Sequence, residues 1–198
     1  MSKILYIKAN LRDDNTSRSL IVANSFLEEY KKKNPKDEII TLDLYKENID
    51  FLRMDSLISI GSRKTEESKK DPLLKYAYQF TEADKYIIAA PMWNLGIPAI
   101  LKAYIDNICV GGITYKYTEQ GQVGLLENKK AIFFNSRGGI YANSPVENCE
   151  KYMKDIMTFL GINDFKSVSI DGVDIIGSDI DKIVNDAKVK ANNLLENF

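Results

Sequence analysis

Short apolar runs alternate along this chain with longer segments in which apolar residues recur at helical spacing. Residues 86–90 form an unbroken apolar run, which is typical of a strand buried on both faces in the middle of a parallel sheet. Four other segments have strand character: residues 4–7, 38–43, 130–135 and 165–170. Helical spacing predicts five helices, over residues 17–30, 73–83, 98–108, 146–160 and 180–195.

Local signals fix several of these boundaries. Ser17 is a natural N-cap, Pro98 suits the first turn of a helix, and Gly161 suits a helix end. Pro91 cannot donate to a sheet ladder, so it marks the end of the central strand. Residues 111–126 alternate and end in glycines, which predicts a hairpin or flap. Residues 44–71 are polar and irregular, and their pattern assigns them no role beyond a long excursion.

The alternation of strands with helices predicts parallel βαβ units. Five strands connected in this way favour a flavodoxin-like α/β fold, with strand order 2-1-3-4-5 and helices on both faces. At 198 residues, the chain is predicted to form one domain over residues 1–198. Fold alone does not identify function.

Composition excludes several classes of function. A formal net charge of −1 gives no electrostatic reason to expect nucleic acid or an anionic membrane as a partner. No segment approaches the roughly 20 apolar residues that span a bilayer, and the N-terminus lacks a signal peptide, which predicts a cytoplasmic protein. The chain has no histidine, and Cys109 and Cys149 lie far apart, so no metal site and no histidine-based catalysis is predicted.

Three loops are predicted to meet at the carboxyl edge of the sheet, where open α/β sheets bind ligands. Residues 9–19 bring hydroxyl groups to a helix N-terminus, which suits phosphate, although simple capping by Ser17 explains them equally well. Residues 91–97 place large apolar side chains where turns are usually polar, which indicates a ligand wall or a surface covered by a flap or a second subunit. Residues 136–139 carry paired glycines, which suit close backbone approach to a ligand or an ordinary turn.

Taken together, the loops offer a phosphate site beside an apolar shelf. A mononucleotide with a large planar ring would fill both, and flavin mononucleotide (FMN) fits best. A G-x-G-x-x-G motif is absent after the first strand, which weakens the case for a dinucleotide site.

Three motifs in order carry a family resemblance: P-M-W-N-L-G-I-P-A-I-L-K-A-Y-I-D, G-G-I-T-Y-K-Y-T-E-Q-G-Q-V-G-L-L and S-R-G-G-I-Y. With them the whole chain resembles the FMN-dependent NADH-azoreductase / NAD(P)H:quinone oxidoreductase family. The resemblance implies a flavodoxin-like homodimer that holds one FMN per subunit near the dimer interface. It implies that the phosphate lies on Asn10, Ser17, Arg18 and Ser19, and the ring against Pro91, Met92, Trp93, Asn94 and Leu95. It places Ser136, Arg137, Gly138 and Gly139 at the other flank of the ring, and Tyr117 in a flap that forms an aromatic slot with Trp93.

The chain departs from that family at two places. Relatives often carry serine where Ala9 and Asn10 stand, so a phosphate or ribityl contact is lost or is replaced by the Asn10 amide. Relatives also often carry arginine where Val110 stands, which leaves the preferences for substrate and nucleotide open.

The resemblance implies a ping-pong reaction in which NAD(P)H delivers electrons and leaves before a quinone or aromatic azo compound receives them. No catalytic side chain is predicted, because the cofactor carries the chemistry. One alternative is a flavodoxin-type electron carrier, which usually docks through a strongly charged surface and is disfavoured by the net charge of −1. A second is a cofactor-free receiver domain, which would need acidic residues where Asn10 and Pro91 stand. Neither the physiological acceptor nor the choice between NADH and NADPH follows from the sequence.

Overall fold

A five-stranded parallel sheet forms the centre of the computed structural model, which describes residues 1–54 and 66–198. In chain order the strands are β1 (Lys3–Lys8), β2 (Glu38–Asp43), β3 (Lys85–Pro91), β4 (Tyr115–Thr118), β5 (Gly121–Gly124), β6 (Lys130–Ser136) and β7 (Asp164–Ile170). The sheet order is β2-β1-β3-β6-β7, and β4 and β5 form a separate antiparallel hairpin. The predicted order 2-1-3-4-5 numbered the strands of the main sheet alone, so the hairpin strands change the labels of the last two positions.

Helices cover both faces of this sheet. The described helices are α1 (Arg18–Lys33), α2 (Lys75–Glu82), α3 (Ala99–Ile108), α4 (Cys149–Phe159) and α5 (Ile180–Asn192), with 3₁₀ turns at Ser68–Lys70, Pro72–Leu74 and Leu195–Asn197. Buried side chains of α1 and α5 share one core cluster, and those of α2, α3 and α4 share another. The predicted α/β fold, a parallel sheet with helices on both faces, is confirmed. Among the described helices, none is both long and apolar enough to cross a membrane.

After Lys85 at its start, strand β3 is apolar because it lies between two neighbouring strands and beneath helices on both sides. It pairs with β1 on one edge and with β6 on the other. Tyr86, Ile88 and Ala90 belong to the core under α2, α3 and α4, whereas Ile87 and Ala89 belong to the core under α1 and α5. A strand with no face exposed to water needs no polar positions.

Local capping explains where the helices begin. The Ser17 side chain accepts a hydrogen bond from the Leu20 amide at 3.3 Å, so the predicted N-cap is confirmed. The helix predicted over residues 146–160 begins later, at Cys149. Its first turn is capped from outside, because the Glu147 carboxylate accepts from the amides of Glu150 (2.9 Å) and Lys151 (3.3 Å).

Two other predicted helices differ at one end. The helix predicted over residues 73–83 opens as the 3₁₀ turn Pro72–Leu74, in which the Asp71 side chain accepts from the Leu73 amide. The helix predicted over residues 180–195 ends at Asn192 and is followed by the 3₁₀ turn Leu195–Asn197. Of the predicted excursion over residues 44–71, residues 55–65 lie outside the described residues.

The hairpin is fastened to the end of α4 at its base. Gly124 packs backbone to backbone on Gly161, and a Cβ at Gly124 would stand 2.1 Å from the Gly161 nitrogen. The Leu126 amide donates to the Leu160 carbonyl at 2.9 Å, and the Gln122 side chain donates to the Phe159 carbonyl at 2.5 Å. The base of the hairpin is therefore a fixed part of the fold.

Candidate functional site

A cleft opens at the carboxyl edge of the sheet, where the loops after β1, β3, β6 and β7 meet. It is lined by Asn10, Arg12, Ser17, Arg18, Pro91, Met92, Trp93, Ser136, Gly138, Val173 and Asp174. The three predicted loops therefore converge as expected from the sheet order. Of the predicted site residues, Ser19, Asn94, Leu95, Arg137, Gly139 and Tyr117 do not line this cleft.

The loop after β1 forms a compact polar cluster at the start of α1. The Asn10 side-chain amide donates to the Ser17 hydroxyl at 2.6 Å and to the Ser19 hydroxyl at 3.4 Å, and the two hydroxyl oxygens lie 3.2 Å apart. All three residues are buried. Ala9 is buried too, and its backbone is tied to Ala89, so Asn10 supplies the polar contacts at this point. The Asn10 amide therefore orders both serine hydroxyls beside the cleft.

Positive charge is concentrated at this end of the cleft. Helix α1 has no acidic residue in its first turn, so its free N–H groups and dipole are uncompensated there. Arg12 and Arg18 both line the cleft, and Arg18 also donates to the Thr16 carbonyl at 2.9 Å. A helix N-terminus with two guanidinium groups and ordered hydroxyls is suited to bind an anion.

The loop after β3 makes a tight two-residue turn. Trp93 and Gly96 exchange two backbone hydrogen bonds of 2.9 and 3.0 Å across it. The residues between them, Asn94 (φ 50°) and Leu95 (φ 64°), are both left-handed. Such a pair of φ angles usually requires Asn-Gly, and for Leu95 it is strained. Strain of this kind is concentrated at functional sites.

This turn presents apolar surface at the mouth of the cleft. Trp93 and Leu95 are each 40% exposed, although both are large and apolar. The Met92 amide donates to the Ser136 carbonyl at 2.8 Å, which joins the turn to the loop after β6. The apolar shelf and the glycine loop are thus held side by side.

The loop after β6 is joined by backbone hydrogen bonds to the loop after β7. Its carbonyls at Arg137, Gly138 and Gly139 accept from the amides of residues 173, 174 and 172, at 3.2, 3.1 and 3.0 Å respectively. The amides of Gly138 and Gly139, in contrast, make no hydrogen bond within the described part of the chain. Unpaired amide donors beside a cleft are ready to bind a polar ligand edge.

Arg137 does not line the cleft, because its side chain is buried among carboxylates. The side chain is only 2% exposed, and its guanidinium lies 3.2–3.5 Å from Glu147, Glu150 and Asp171. It also donates to the Ser169 hydroxyl. Of the three carboxylates, only Glu150 accepts a hydrogen bond from the guanidinium, and Glu147 and Asp171 contribute by charge alone. Because this side chain is buried among negative charges, only the backbone of Arg137 is available to a ligand.

Tyr117 lies on the predicted hairpin and does not line this cleft. It is 75% exposed on β4 and packs edge-on against Tyr115, with ring centroids 5.8 Å apart. Tyr115 in turn packs against Phe159 at the end of α4. Val110, the other position of interest near the hairpin, is buried in a small core with Leu74, Ala77, Tyr78 and Ile113.

Sequence reasoning missed three residues of the cleft: Arg12, Val173 and Asp174. A Cβ at Gly138 would stand 2.6 Å from an Asp174 carboxylate oxygen, so glycine leaves room for that side chain. The sequence D-G-V-D directly after the last strand was the signal available, because a glycine there marks a turn at the same sheet edge.

No thiol is activated near this site. Burial raises the pKa of Cys109 and that of Cys149 to about 12, so both thiols are protonated at neutral pH. Within residues 1–54 and 66–198, no group of three or more carboxylate or thiol side chains could hold a metal ion. The cleft therefore offers anion binding, apolar stacking and backbone donors, which are the means of holding a ligand.

Comparisons with known proteins agree with this arrangement. A family model described as "flavodoxin-like fold" matches residues 2–195. An FMN-dependent NADH:quinone oxidoreductase from Clostridium perfringens is 58% identical over 198 residues, with both chains fully covered. The corresponding protein from Clostridium beijerinckii is 55% identical over the same length and coverage.

Solved structures include similar proteins. The crystal structure of an azoreductase from Bacillus anthracis has a TM-score of 0.89 at 36% identity and covers 100% of both chains. An FMN-dependent NADH-azoreductase from the same species, in complex with FMN, has a TM-score of 0.88 at 32% identity and covers 100% of this chain and 99% of its own.

Proposed function

We propose that this chain, which belongs to the flavodoxin-like family of FMN-dependent NADH:quinone oxidoreductases, binds FMN in the carboxyl-edge cleft. With FMN bound, the chain would transfer electrons from NAD(P)H to quinones and aromatic azo compounds. The observation that carries the proposal is the meeting of an anion site, an apolar shelf and unpaired backbone donors in one cleft. Each feature alone has an ordinary structural explanation, but together they match the three parts of a flavin mononucleotide.

The phosphate would lie at the start of α1. No acidic residue in the first turn of α1 offsets the positive end of the helix dipole there. The hydroxyls of Ser17 and Ser19 are held in place by Asn10. Arg12 and Arg18 supply the countercharge. The cleft encloses a volume of about 120 Å³, which is small beside the roughly 300 Å³ of a typical ligand pocket. We therefore expect it to take the phosphate end and leave the ring at the open side.

The ring would lie between the apolar turn and the glycine loop. Met92 and Trp93 line the cleft and supply the flat apolar contact, and Leu95 adds exposed apolar surface on the same turn. The Gly138 amide, and that of Gly139 beside it, are donors available to a polar ring edge. The unpaired amides of Asn94 and Leu95 are further donors in the same region of the described chain. Ser136, Pro91 and the backbone of Arg137 would complete the set around the ring.

FMN, when bound, supplies the ability to accept and release a hydride, so the order of substrates is expected to be ping-pong. The chain's own contribution is placement and electrostatics. Fixed amide donors stabilise negative charge at the place where they point, because they need no reorganisation. The apolar side chains of the turn exclude water from the face on which a flat substrate stacks. No described side chain needs to act as a nucleophile.

We also propose one FMN-binding domain over residues 1–198 and a homodimer. Tyr117 does not line the cleft of its own chain, so an aromatic slot with Trp93 would require a subunit contact or a movement of the hairpin. Sedimentation of the FMN-loaded protein measures the oligomeric state directly. A cytoplasmic location stays a prediction from the sequence.

Reconstitution tests the proposal. The purified chain is incubated with FMN, freed of unbound flavin by gel filtration, and mixed without oxygen with NADH or NADPH. We expect retained flavin to lose its visible absorbance and to regain it on addition of a quinone, and steady-state plots to give the parallel lines of ping-pong kinetics. A protein that retains no flavin, or retained flavin that neither nucleotide reduces, would refute the proposed function.

A further inference from the structure

The Arg137 guanidinium connects three separate elements beneath the cleft. Arg137 itself stands in the glycine loop between Ser136 and Gly138, both of which line the cleft. Its Nη1 lies 3.5 Å from Glu147, before α4, and its Nη2 lies 3.3 Å from Glu150, in the first turn of α4. Its Nε lies 3.2 Å from Asp171, at the end of β7. One side chain thus joins the glycine loop to α4 and to the loop after β7.

The electrostatics of this cluster are unbalanced without Arg137. Three carboxylates surround one guanidinium, and the Glu147 and Asp171 side chains are only 12% and 20% exposed. Burial raises the pKa of Asp171, and the nearby Arg137 charge opposes that rise. Glu147 has a second task, since it caps α4. The guanidinium therefore holds in place carboxylates that would otherwise repel one another.

The backbone next to the Arg137 side chain includes two amide groups that make no hydrogen bond in the described residues, those of Gly138 and Gly139. The Arg137 amide donates to the Ile170 carbonyl at 2.9 Å, and the Arg137 carbonyl accepts from Val173. The next two amides, of Gly138 and Gly139, are the ones with no acceptor in the described residues. These amides share peptide planes with the Arg137 and Gly138 carbonyls, which accept from the amides of Val173 and Asp174 in the loop after β7. Their direction therefore depends on what holds that loop in place.

We propose that Arg137 is a positioning residue: its guanidinium, which forms ion pairs with Glu147, Glu150 and Asp171, holds the loop after β7 and thereby sets the direction of the Gly138 and Gly139 amides. The side chain acts through its own backbone and through the loop after β7, while it faces away from the ligand. This inference rests on the proposed function, because it assigns those amides to bound FMN.

Four variants separate positioning from charge balance. Arg137→Met removes the guanidinium, and Arg137→Lys keeps the charge without the planar fork that can contact several carboxylates at once. The double variant Arg137→Met/Glu150→Gln removes one charge of each sign, so the formal charge of the cluster stays as in the wild type. Lys151→Met is the control, because the Lys151 side chain is exposed on the same helix and, among the described residues, pairs with Asp155 and not with the cluster.

Three measurements are made on each: the Kd for FMN by quenching of flavin fluorescence, the midpoint potential of the bound flavin, and thermal unfolding of the apoprotein. Loss of two well-placed amide donors, at about 1 kcal/mol each, would raise the Kd about 25-fold. The midpoint potential should fall, because fewer donors stabilise the negative charge gained on reduction. We expect both changes in Arg137→Met and in the double variant, smaller changes in Arg137→Lys, and none in Lys151→Met.

Several results would overturn the inference. If the double variant folds and matches the wild type in Kd and potential, Arg137 only balances charge. If Arg137→Met fails to fold, the double variant and Arg137→Lys decide the question, and wild-type values in both reject positioning. Failure of the wild-type protein to retain FMN would instead refute the proposed function itself.

Discussion

Asp174 occupies the space that a side chain at Gly138 would need: a Cβ at residue 138 would stand 2.6 Å from the Asp174 carboxylate oxygen. The Asp174 amide also donates to the Gly138 carbonyl at 3.1 Å, so the two residues are joined as well as close. The loop after β7 is therefore part of the cleft wall, and the glycine loop cannot change without moving it.

Gly138→Ala should weaken FMN binding. The added methyl group has to displace the Asp174 carboxylate or tilt the loop, which misplaces at least one amide donor. We expect the Kd for FMN to rise about fivefold, as for the loss of one hydrogen bond. Flavin fluorescence quenching measures it. Gly111→Ala is the matched control, because a Cβ there would meet nothing closer than 3.9 Å; equal effects in both variants would contradict the explanation.

Leu95→Gly should separate stability from binding. Glycine accepts a φ of 64° without strain, and this relief of about 1–2 kcal/mol offsets part of the stability lost with the partly buried leucine side chain. The apoprotein should therefore lose less free energy of unfolding than it does when glycine replaces a similarly exposed leucine at an ordinary φ. The same change removes apolar surface from the shelf, so FMN should bind less tightly. Urea unfolding and FMN titration measure the two effects.

The control for that substitution is Leu125→Gly. Leu125 is similarly exposed but is not among the residues with positive φ. Glycine there should destabilise the protein and leave the Kd for FMN unchanged. A loss of stability in Leu95→Gly as large as that in Leu125→Gly would show that the left-handed turn is not strained.

Ser17→Ala should lower both stability and FMN affinity. The alanine loses the cap on the Leu20 amide, which costs about 1 kcal/mol of stability, and it loses a hydroxyl beside the anion site. Asp179→Ala is the paired control, because Asp179 caps α5 by accepting from the Lys182 amide at 3.0 Å. Both variants should unfold at lower urea concentration, but only Ser17→Ala should bind FMN more weakly. Unchanged FMN binding in Ser17→Ala would mean that Ser17 serves as a cap alone.

Thiol reagents should leave the reaction intact. Because burial raises the pKa of both cysteine thiols to about 12, neither is a thiolate until the solution is strongly alkaline. Treatment with iodoacetamide near pH 8, followed by mass spectrometry and an assay of NADH oxidation, should show little alkylation and full activity. Rapid inactivation would mean that a cysteine takes part in binding or catalysis.

The sequence was informative wherever one local rule decides the structure. The unbroken apolar run of β3 identified the middle of the sheet, because burial on both faces removes polar positions. Ser17 and the prolines marked boundaries for steric and hydrogen-bonding reasons that need no knowledge of distant residues. From the sheet order alone, three of the four loops around the cleft could be named.

What the sequence did not reveal depends on contacts between distant residues. The S-R-G-G motif does not say which way Arg137 points, since that is decided by Glu147, Glu150 and Asp171, which follow later in the chain. The late start of α4 has the same origin, in a carboxylate that caps from outside the helix. Asp174 was missed because an aspartate after a strand resembles an ordinary turn residue until its distance to Gly138 is known.

The contact between Gly124 and Gly161 divides the hairpin into two parts with different freedom to vary. Any side chain at either glycine would displace the base of the hairpin from α4. The tip of the hairpin, around Glu119 and Gln120, is exposed. Variation at the tip can therefore accumulate with little cost to folding, whereas the two glycines at the base have to be kept.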